Sequence, residues 1–249
     1  AMQRSLVGSE MCIRDRFKTT YDNVDLVLIR ENTEGEYSGI EHVVVPGVVQ
    51  SIKLITRDAS ERVIKYAFEY AKAIGRPRVV VVHKSTIQRL SDGLFVDVAK
   101  ELSEQYPDIK FETELIDNTV MKCVMHPDAY SDAVAVCPNL YGDILSELNS
   151  GLSAGSLGLT PSANIGNEIS IFEAVHGSAP DIAGQNKANP TALLLSSVMM
   201  LEHMGLNEHA SQIQNAVLNT IASSSENRTG DLGGSATTSS FTEAVIKNL

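Results

Sequence analysis

The chain has 249 residues, with 20 Lys and Arg against 31 Asp and Glu, which gives a net charge of -11. This charge would repel the phosphate groups of nucleic acid and of anionic membranes, so neither is an expected partner. Hydrophobic residues make up 43% of the sequence, but no apolar tract is long enough to cross a bilayer. The cysteines, Cys12, Cys123 and Cys137, lack paired spacing, which indicates neither a disulfide framework nor a structural zinc site and fits a reducing compartment.

Residues 1–16 show no sustained periodicity. Their Arg and Ser content is typical of a transit peptide, but Glu10 and Asp15 interrupt the basic amphipathic pattern of such peptides. We interpret these residues as a non-native leader, misassembled or vector-derived, ahead of ordered sequence that begins near Phe17.

Short runs rich in β-branched residues alternate with helical patterns, which favours an α/β fold. The expected strands are 24–29, 78–82, 110–116 and 133–137. A stripe of apolar residues predicts a helix that is capped at Ser60 and ends at Gly75, and a second helix is expected around 94–102. Residues 39–56 instead predict two strands, 43–45 and 48–54, which are too short to be stable alone and are expected to pair with another subunit.

The sequence after Asn139 is rich in Gly and Ser, and its expected elements are a strand at 169–172 and helices at 191–204, 208–222 and 241–249. Residues 191–204 are apolar on nearly every face of the helix. This helix is therefore expected to be buried or to lie in an interface.

Arg30 and Tyr37 belong to the block RENTEGEYSG, which follows the first predicted strand. Open α/β sheets bind ligands at the carboxyl ends of their strands, where Arg30 is expected. Its planar guanidinium suits bidentate binding of a carboxylate, and the phenol of Tyr37 could donate a proton. The alternative is a surface salt bridge beside a packed tyrosine.

Lys84 follows the strand predicted at 78–82, so its side chain is also expected at a carboxyl edge of the sheet. A lysine held near a metal ion or other cations can act as a base. The alternative is an exposed lysine without a catalytic role.

Asp143 and Glu147 lie four residues apart in NLYGDILSE and would share one face of a helix. Together with Asp117, at the end of another strand, they would form an oxygen-rich site suited to Mg²⁺ or Mn²⁺. The alternative is an acidic helix N-terminus stabilised by the helix dipole.

The loop EAVHGSAPDIAG, residues 173–184, contains small residues that would let a nucleotide approach the backbone closely. It is not the G-x-G-x-x-G fingerprint of Rossmann dinucleotide sites. Asp181 could accept hydrogen bonds from ribose hydroxyls but would repel a 2′-phosphate. The loop therefore favours NAD over NADP.

The four blocks RENTEGEYSG, HKSTIQRLSDGLF, NLYGDILSELNSGLSAGSLG and HGSAPDIAGQNKANPTA, in this order, resemble the isocitrate and isopropylmalate dehydrogenase family. The resemblance runs from about Phe17 to Leu249 and implies that family's α/β fold, which is not a Rossmann fold. It implies a small domain at 17–157, with a clasp-like β segment at 36–57, and the C-terminal part of an incomplete large nucleotide-binding domain at 158–249.

The resemblance also implies roles for individual residues. Arg30 would bind a substrate carboxylate, Tyr37 would protonate the decarboxylated carbon, and Lys84 would assist removal of the hydroxyl proton. Asp117, Asp143 and Glu147 would hold Mg²⁺ or Mn²⁺, with Lys84 and Asp117 serving a neighbouring subunit's site. The implied NAD-binding residues are Glu173, His176, Gly177, Ser178, Ala179, Asp181, Ile182 and Asn189.

RENTEGEYSG favours isocitrate as the substrate, within the mitochondrial NAD-dependent branch of the family. The implied activity is oxidative decarboxylation of isocitrate to 2-oxoglutarate and CO₂ with reduction of NAD, a step of the tricarboxylic acid cycle, in the mitochondrial matrix. The implied partners are homologous catalytic and regulatory subunits. The alternatives are homoisocitrate or 3-isopropylmalate as substrate, and a non-catalytic regulatory subunit.

Three departures from the family pattern bear on activity. Glu147 replaces the usual aspartate, and Thr86 stands where many relatives have asparagine. The family's N-terminal segment, which carries further substrate-binding residues, is absent, so the chain by itself is expected to be inactive.

Overall fold

The computed structural model describes residues 2–6, 21, 24–153 and 157–249. It contains two compact units, built mainly on Leu26–Leu148 and Asn149–Leu249. Strand β1 covers Met2–Leu6, whereas the remainder of the predicted leader and its junction near Phe17 lie outside the described residues. The domain boundary expected after residue 157 stays a prediction.

The first unit contains four parallel strands in the order β6-β5-β7-β2. Their side chains in β2, β5 and β7 are mostly buried, as expected for strands covered on both faces. The predicted strands are confirmed, with the bounds β2 Val27–Glu31, β5 Arg78–His83, β6 Lys110–Leu115 and β7 Ala133–Cys137.

Four helices accompany these strands: α1 Arg57–Ala73, α2 Ser91–Ser103, α3 Ile116–Met125 and α4 Asn139–Ser153. The predicted cap at Ser60 is wrong, because the Thr56 side chain accepts the N–H of Ala59 and thereby caps α1. Ser60 lies inside α1, where its hydroxyl donates to the Thr56 carbonyl oxygen. Helix α3 was not predicted. Because it begins at Ile116, strand β6 ends at Leu115, one residue earlier than expected.

The segment expected to pair with another subunit forms an antiparallel hairpin of its own, with β3 at Glu41–Val45 and β4 at Val48–Ser51. Every residue of both strands is exposed. A two-stranded hairpin is at best marginally stable in water, so its valine-rich faces lack the cover that such a hairpin normally needs.

The second unit contains the antiparallel strands β8 Pro161–Ile165 and β9 Ser170–Ala174, followed by helices α5 Thr191–His203, α6 Asn207–Ser223 and α7 Thr238–Lys247. Strand β8 was not predicted. The apolar core joins Leu195 of α5 to Ile221 of α6 and Phe241 of α7. Helix α5 is only partly buried, since Leu193 is 60% exposed.

Cys123 and Cys137 are buried free thiols, and Cys12 lies outside the described residues. Among the described residues, every helix is too short or too polar to cross a membrane.

Candidate functional site

Residues of the candidate site lie at or just beyond the carboxyl ends of all four parallel strands. Arg30 lies in β2, Lys84 follows β5, Asp117 follows β6, and Asn139 follows β7. Because the strands are parallel, these ends lie along one edge of the sheet, where open α/β sheets bind ligands.

Arg30 is nearly buried, and its guanidinium is held by Asn139 and Asp143. Its Nε and Nη2 donate to Asn139 Oδ1 at 2.9 and 2.7 Å, and its Nη1 donates to Asp143 Oδ1 at 2.6 Å. These charge-assisted bonds define the plane of the guanidinium fork. The ion pair with Asp143, whose side chain is 42% exposed, is therefore one contact of a larger network.

Asn139 is a site residue that sequence reasoning missed. It is only 1% exposed, and besides accepting from Arg30 it donates from Nδ2 to the Glu34 carbonyl oxygen at 2.7 Å. Asn139 thus connects the chain just after β7 to both Arg30 and Glu34. Its position directly after a buried strand was the only local signal for this role.

Gly142, in the first turn of α4, leaves room for Arg30. A Cβ at this position would lie 2.7 Å from Arg30 Cβ and 2.9 Å from Arg30 Cδ. Real Cβ atoms do not approach neighbours so closely, so only glycine allows Arg30 its observed path.

Tyr37 contacts the same carboxylate as Arg30, because its hydroxyl donates to Asp143 Oδ2 at 2.5 Å. This hydrogen bond, followed by partial burial, raises the pKa of the phenol above its ordinary value. The side chain is 54% exposed. The phenol is therefore protonated near neutral pH and accessible to a ligand, as a proton donor must be.

Two acidic residues between Arg30 and Tyr37 shape the loop that connects them. The carboxylate of Glu31 accepts from the backbone N–H groups of Thr33 and Glu34. The carboxylate of Glu34 accepts from the N–H and hydroxyl of Thr56 at 2.7 and 2.8 Å. Both carboxylates are buried and satisfied, so their role is to hold the loop in place.

Lys84 and Asp117 form an ion pair, with Nζ and Oδ1 2.6 Å apart. The hydrogen bond from Lys84 lowers the pKa of the Asp117 carboxyl below its ordinary value. Within one chain, Asp117 is thus bound to Lys84 while Asp143 is bound to Arg30 and Tyr37.

The predicted metal ligands Asp117, Asp143 and Glu147 are not assembled in a single chain. Across the residues that the structure describes, no group of three His, Cys, Asp or Glu side chains is placed to hold a metal ion. Glu147 is exposed on α4. Its role as a ligand stays a prediction.

The predicted nucleotide loop borders a cleft of about 870 Å³ in the second unit. Six of the eight predicted NAD-binding residues line this cleft, namely His176, Gly177, Ser178, Ala179, Ile182 and Asn189. The described lining does not include Glu173 or Asp181. Glu173 instead accepts a hydrogen bond from Asn164 at 2.5 Å.

The cleft also contains residues that the sequence analysis did not select. Lys187 and Asp231 line it, and Asp231 Oδ2 accepts from Asn189 Nδ2 at 2.9 Å. Gly230 lines the cleft beside open space, whereas a Cβ at Gly234 would collide with the backbone of Arg228. Gly230 therefore leaves room in the cleft, and Gly234 is required by local packing.

Residues 7–245 match the family model described as isocitrate/isopropylmalate dehydrogenase. The chain belongs to this family. The expected isocitrate/isopropylmalate dehydrogenase fold is confirmed by the crystal structure of isocitrate dehydrogenase from Methylococcus capsulatus, to which the chain is similar with a TM-score of 0.91 and 42% identity. That similarity covers 100% of this chain and 72% of the other.

The chain is also similar to proteins that are named as subunits of an NAD-dependent isocitrate dehydrogenase. The chain is 85% identical to isocitrate dehydrogenase [NAD] subunit 2, mitochondrial, of Saccharomyces cerevisiae, over 94% of this chain and 63% of that protein. It is 57% identical to a mitochondrial regulatory subunit of isocitrate dehydrogenase [NAD] from Dictyostelium discoideum, over 93% of this chain and 65% of that protein. The chain thus spans less than two thirds of the length of either relative.

Proposed function

We propose that this chain is part of a catalytic subunit of an NAD-dependent isocitrate dehydrogenase, which converts isocitrate to 2-oxoglutarate and CO₂. The observation that carries the proposal is the network of Arg30, Tyr37 and Asp143. In it, a guanidinium suited to carboxylate binding and a phenol contact the same carboxylate, at the edge where open α/β sheets bind ligands. The relatives' names agree with this choice of substrate.

The chain's own residues divide the work as follows. Arg30 binds and orients a substrate carboxylate with its fixed guanidinium fork. Lys84, whose Nζ lies 2.6 Å from Asp117 Oδ1 in the single chain, assists removal of the proton from the substrate hydroxyl in a neighbouring subunit's site. After CO₂ has left, the Tyr37 phenol donates its proton to the carbon that carried the carboxylate.

The cleft in the second unit fits NAD. Gly177, Ser178 and Ala179 line it, and a Cβ at Gly177 or at Gly230 would meet nothing within 4 Å, so both glycines border open space. Asp181 is exposed next to the lining residue Ile182, where a carboxylate disfavours a 2′-phosphate. When bound, NAD supplies the acceptor for the hydride that leaves C2 of the substrate.

A divalent metal does not fit the residues of one chain, since its three proposed ligands are not brought together. We propose that Asp143 and Glu147 of one subunit are completed by Asp117 of a neighbouring subunit, as oxygen ligands for Mg²⁺ or Mn²⁺. Such an ion would supply Lewis-acid stabilisation of negative charge on the substrate oxygen.

The exposed hairpin β3-β4 supports assembly with homologous subunits, because its valines lack cover in the single chain. We propose that catalytic and regulatory subunits assemble in the mitochondrial matrix, in keeping with the mitochondrial location given in both relatives' names.

A non-catalytic regulatory subunit is the second candidate, favoured by the 57% identity to a relative with that name. The resemblance weighs against it, because the regulatory subunits of such enzymes generally lack the carboxylate at the position of Asp143 and the loop that contains His176. If homoisocitrate or 3-isopropylmalate were the substrate, the network of Arg30, Tyr37 and Asp143 would have the same roles, so the network alone does not distinguish the three acids.

The test is NADH formation at 340 nm by the full-length protein, expressed with candidate partner subunits. Isocitrate, homoisocitrate and 3-isopropylmalate are compared with Mg²⁺ present, and EDTA is then added. Activity with isocitrate alone that EDTA abolishes is the expected result. Preference for homoisocitrate or 3-isopropylmalate would assign the protein to another activity of the same family. Inactivity with all three acids would favour a regulatory subunit.

A further inference from the structure

Asp92 is a buried carboxylate to which the proposed reaction assigns no task. It lies in the first turn of α2 and is 0% exposed. Its Oδ1 accepts from Lys53 Nζ at 2.7 Å, and its Oδ2 accepts from the Tyr141 hydroxyl at 3.0 Å and from the backbone N–H of Lys84 at 2.6 Å. Asp92 is therefore too deeply buried to contact a substrate, but it accepts a hydrogen bond from the backbone of Lys84.

Lys53 is the cationic partner of Asp92, and its side chain is only 8% exposed. Its ammonium lies 4.3 Å from the centre of the Tyr141 ring and 3.5 Å from Glu36 Oε1. A single buried cation thus faces two carboxylates and one aromatic ring. Buried ion pairs of this kind often contribute less to stability than apolar residues of similar size, so stability alone is a poor reason for the arrangement.

Each member of this cluster is attached to a segment that carries a residue of the proposed active site. Asp92 holds the backbone of Lys84, Lys53 contacts Glu36, which precedes Tyr37, and Tyr141 precedes Asp143 by two residues in α4. Within one chain, the cluster therefore links the segments of Tyr37 and Asp143 to the segment of Lys84, which serves a neighbouring subunit's site.

We propose that Asp92 is a positioning residue, which fixes the end of β5 so that the Lys84 ammonium is delivered to its working position. This inference rests on the proposed function. The Asp92–Lys84 bond is charge-assisted and lies one residue beyond the strand, where sheet hydrogen bonds no longer constrain the chain. Lys53 pairs with this carboxylate at 2.7 Å and ties it to the segment that carries Tyr37.

Two double variants separate positioning from simple stabilisation. Lys53→Met with Asp92→Asn removes both charges but keeps an amide oxygen that can accept the Lys84 N–H. Lys53→Met with Asp92→Ala removes both charges and that acceptor. Both remove the buried Lys53–Asp92 ion pair as a unit, so neither leaves the Lys53 ammonium buried without Asp92, unlike the single Asp92 variants. Glu36, whose side chain is 29% exposed, loses its cation equally in both double variants. Asp97→Ala, an exposed aspartate in the same helix, is the matched control.

The readouts on the full-length assembled enzyme are kcat, the KM for NAD, and hydrogen–deuterium exchange of peptides covering residues 78–90. The Ala double variant is expected to lose about 10- to 100-fold in kcat, with an unchanged KM for NAD and faster exchange confined to 84–90. The Asn double variant is expected to stay within about threefold of the wild-type kcat.

Equal kcat in the two double variants, or an exchange increase spread evenly over the protein, would overturn the positioning role. If the wild-type assembly does not turn over isocitrate, the proposed function fails separately. Exchange then decides the inference: selective loosening of 84–90 in the Ala double variant supports it, and uniform exchange overturns it.

Discussion

Arg30 passes across Gly142 so closely that a methyl group on the glycine would occupy the space of the arginine's aliphatic chain. A Cβ there would lie 2.7 Å from Arg30 Cβ. The guanidinium cannot simply move aside, because Asn139 and Asp143 hold it on two edges. The first turn of α4 and the end of β2 therefore constrain one another.

Gly142→Ala is expected to displace Arg30 and to lower kcat/KM for isocitrate by about 10- to 100-fold in the full-length assembled enzyme. Overpacking should also lower the free energy of unfolding by about 1–3 kcal/mol. Gly151→Ala in the same helix is the control, since a Cβ there meets nothing within 4 Å. Helix propensity alone predicts that this control gains about 0.5–1 kcal/mol. Equal behaviour of the two variants in urea denaturation and kinetics would refute the steric argument.

Much of the fold was predictable because local pattern and burial agree. The β-branched runs of β2, β5 and β7 are buried strands, and their order along the chain placed Arg30 and Lys84 at carboxyl ends. Helix α3 was missed because its apolar residues continue those of β6 directly, with no loop between Leu115 and Ile116. Strand β8 was missed because it consists largely of Pro, Ser, Ala and Asn, which carry little strand signal.

The site was only partly predictable, for a different reason. Arg30 and Tyr37 lie in one recognisable block, but the acceptor that orients Arg30 is 109 positions away. Such a pairing leaves no periodic trace in a single sequence. The same is true of the buried contact between Lys53 and Asp92, which are 39 positions apart. Residues of this kind become visible only when the strand ends are brought together.

Asn139→Ala is expected to lower the free energy of unfolding by on the order of 3 kcal/mol, because it leaves two donors of a buried guanidinium without their acceptor. Asn139→Asp keeps an oxygen for Arg30 but sets a carboxylate oxygen against the Glu34 carbonyl oxygen, so it is also expected to be less stable than the wild type. Urea denaturation measures both, with the exposed Asn118→Ala as the control. The proposed orienting role fails if Asn139→Ala is no less stable than the control.

Tyr37→Phe is expected to slow the step after CO₂ loss more than the oxidation, because the phenol's proton is removed while the ring and the substrate carboxylate contact at Arg30 remain. NADH formation and formation of 2-oxoglutarate, followed in parallel on the full-length enzyme, separate the two steps. Tyr66→Phe, at a ring stacked on Tyr70 in α1, controls for loss of a hydroxyl. Equal slowing of oxidation and product formation would count against Tyr37 as the proton donor.

His83 gives the folded protein a dependence on pH whose sign follows from its surroundings. The ring is only 7% exposed, and burial lowers its pKa below the ordinary 6.5, an effect that the nearby Asp92 charge partly opposes. Its Nδ1 accepts the N–H of Ser85 at 3.0 Å, which a protonated ring could not do. The neutral ring therefore stabilises the fold fully above pH 6.5, and this contribution is lost as pH falls through the lower pKa of the folded state.

His83→Asn should remove this dependence while keeping an oxygen that can accept from Ser85. Urea midpoints at pH 7.5 and 5.0 are expected to fall less in this variant than in the wild type. His126 is exposed, and the urea midpoint of the control variant His126→Asn should fall as much as that of the wild type. Parallel curves for all three proteins would show that protonation of His83 is not coupled to unfolding, and that the end of β5 accommodates a charged ring despite its burial.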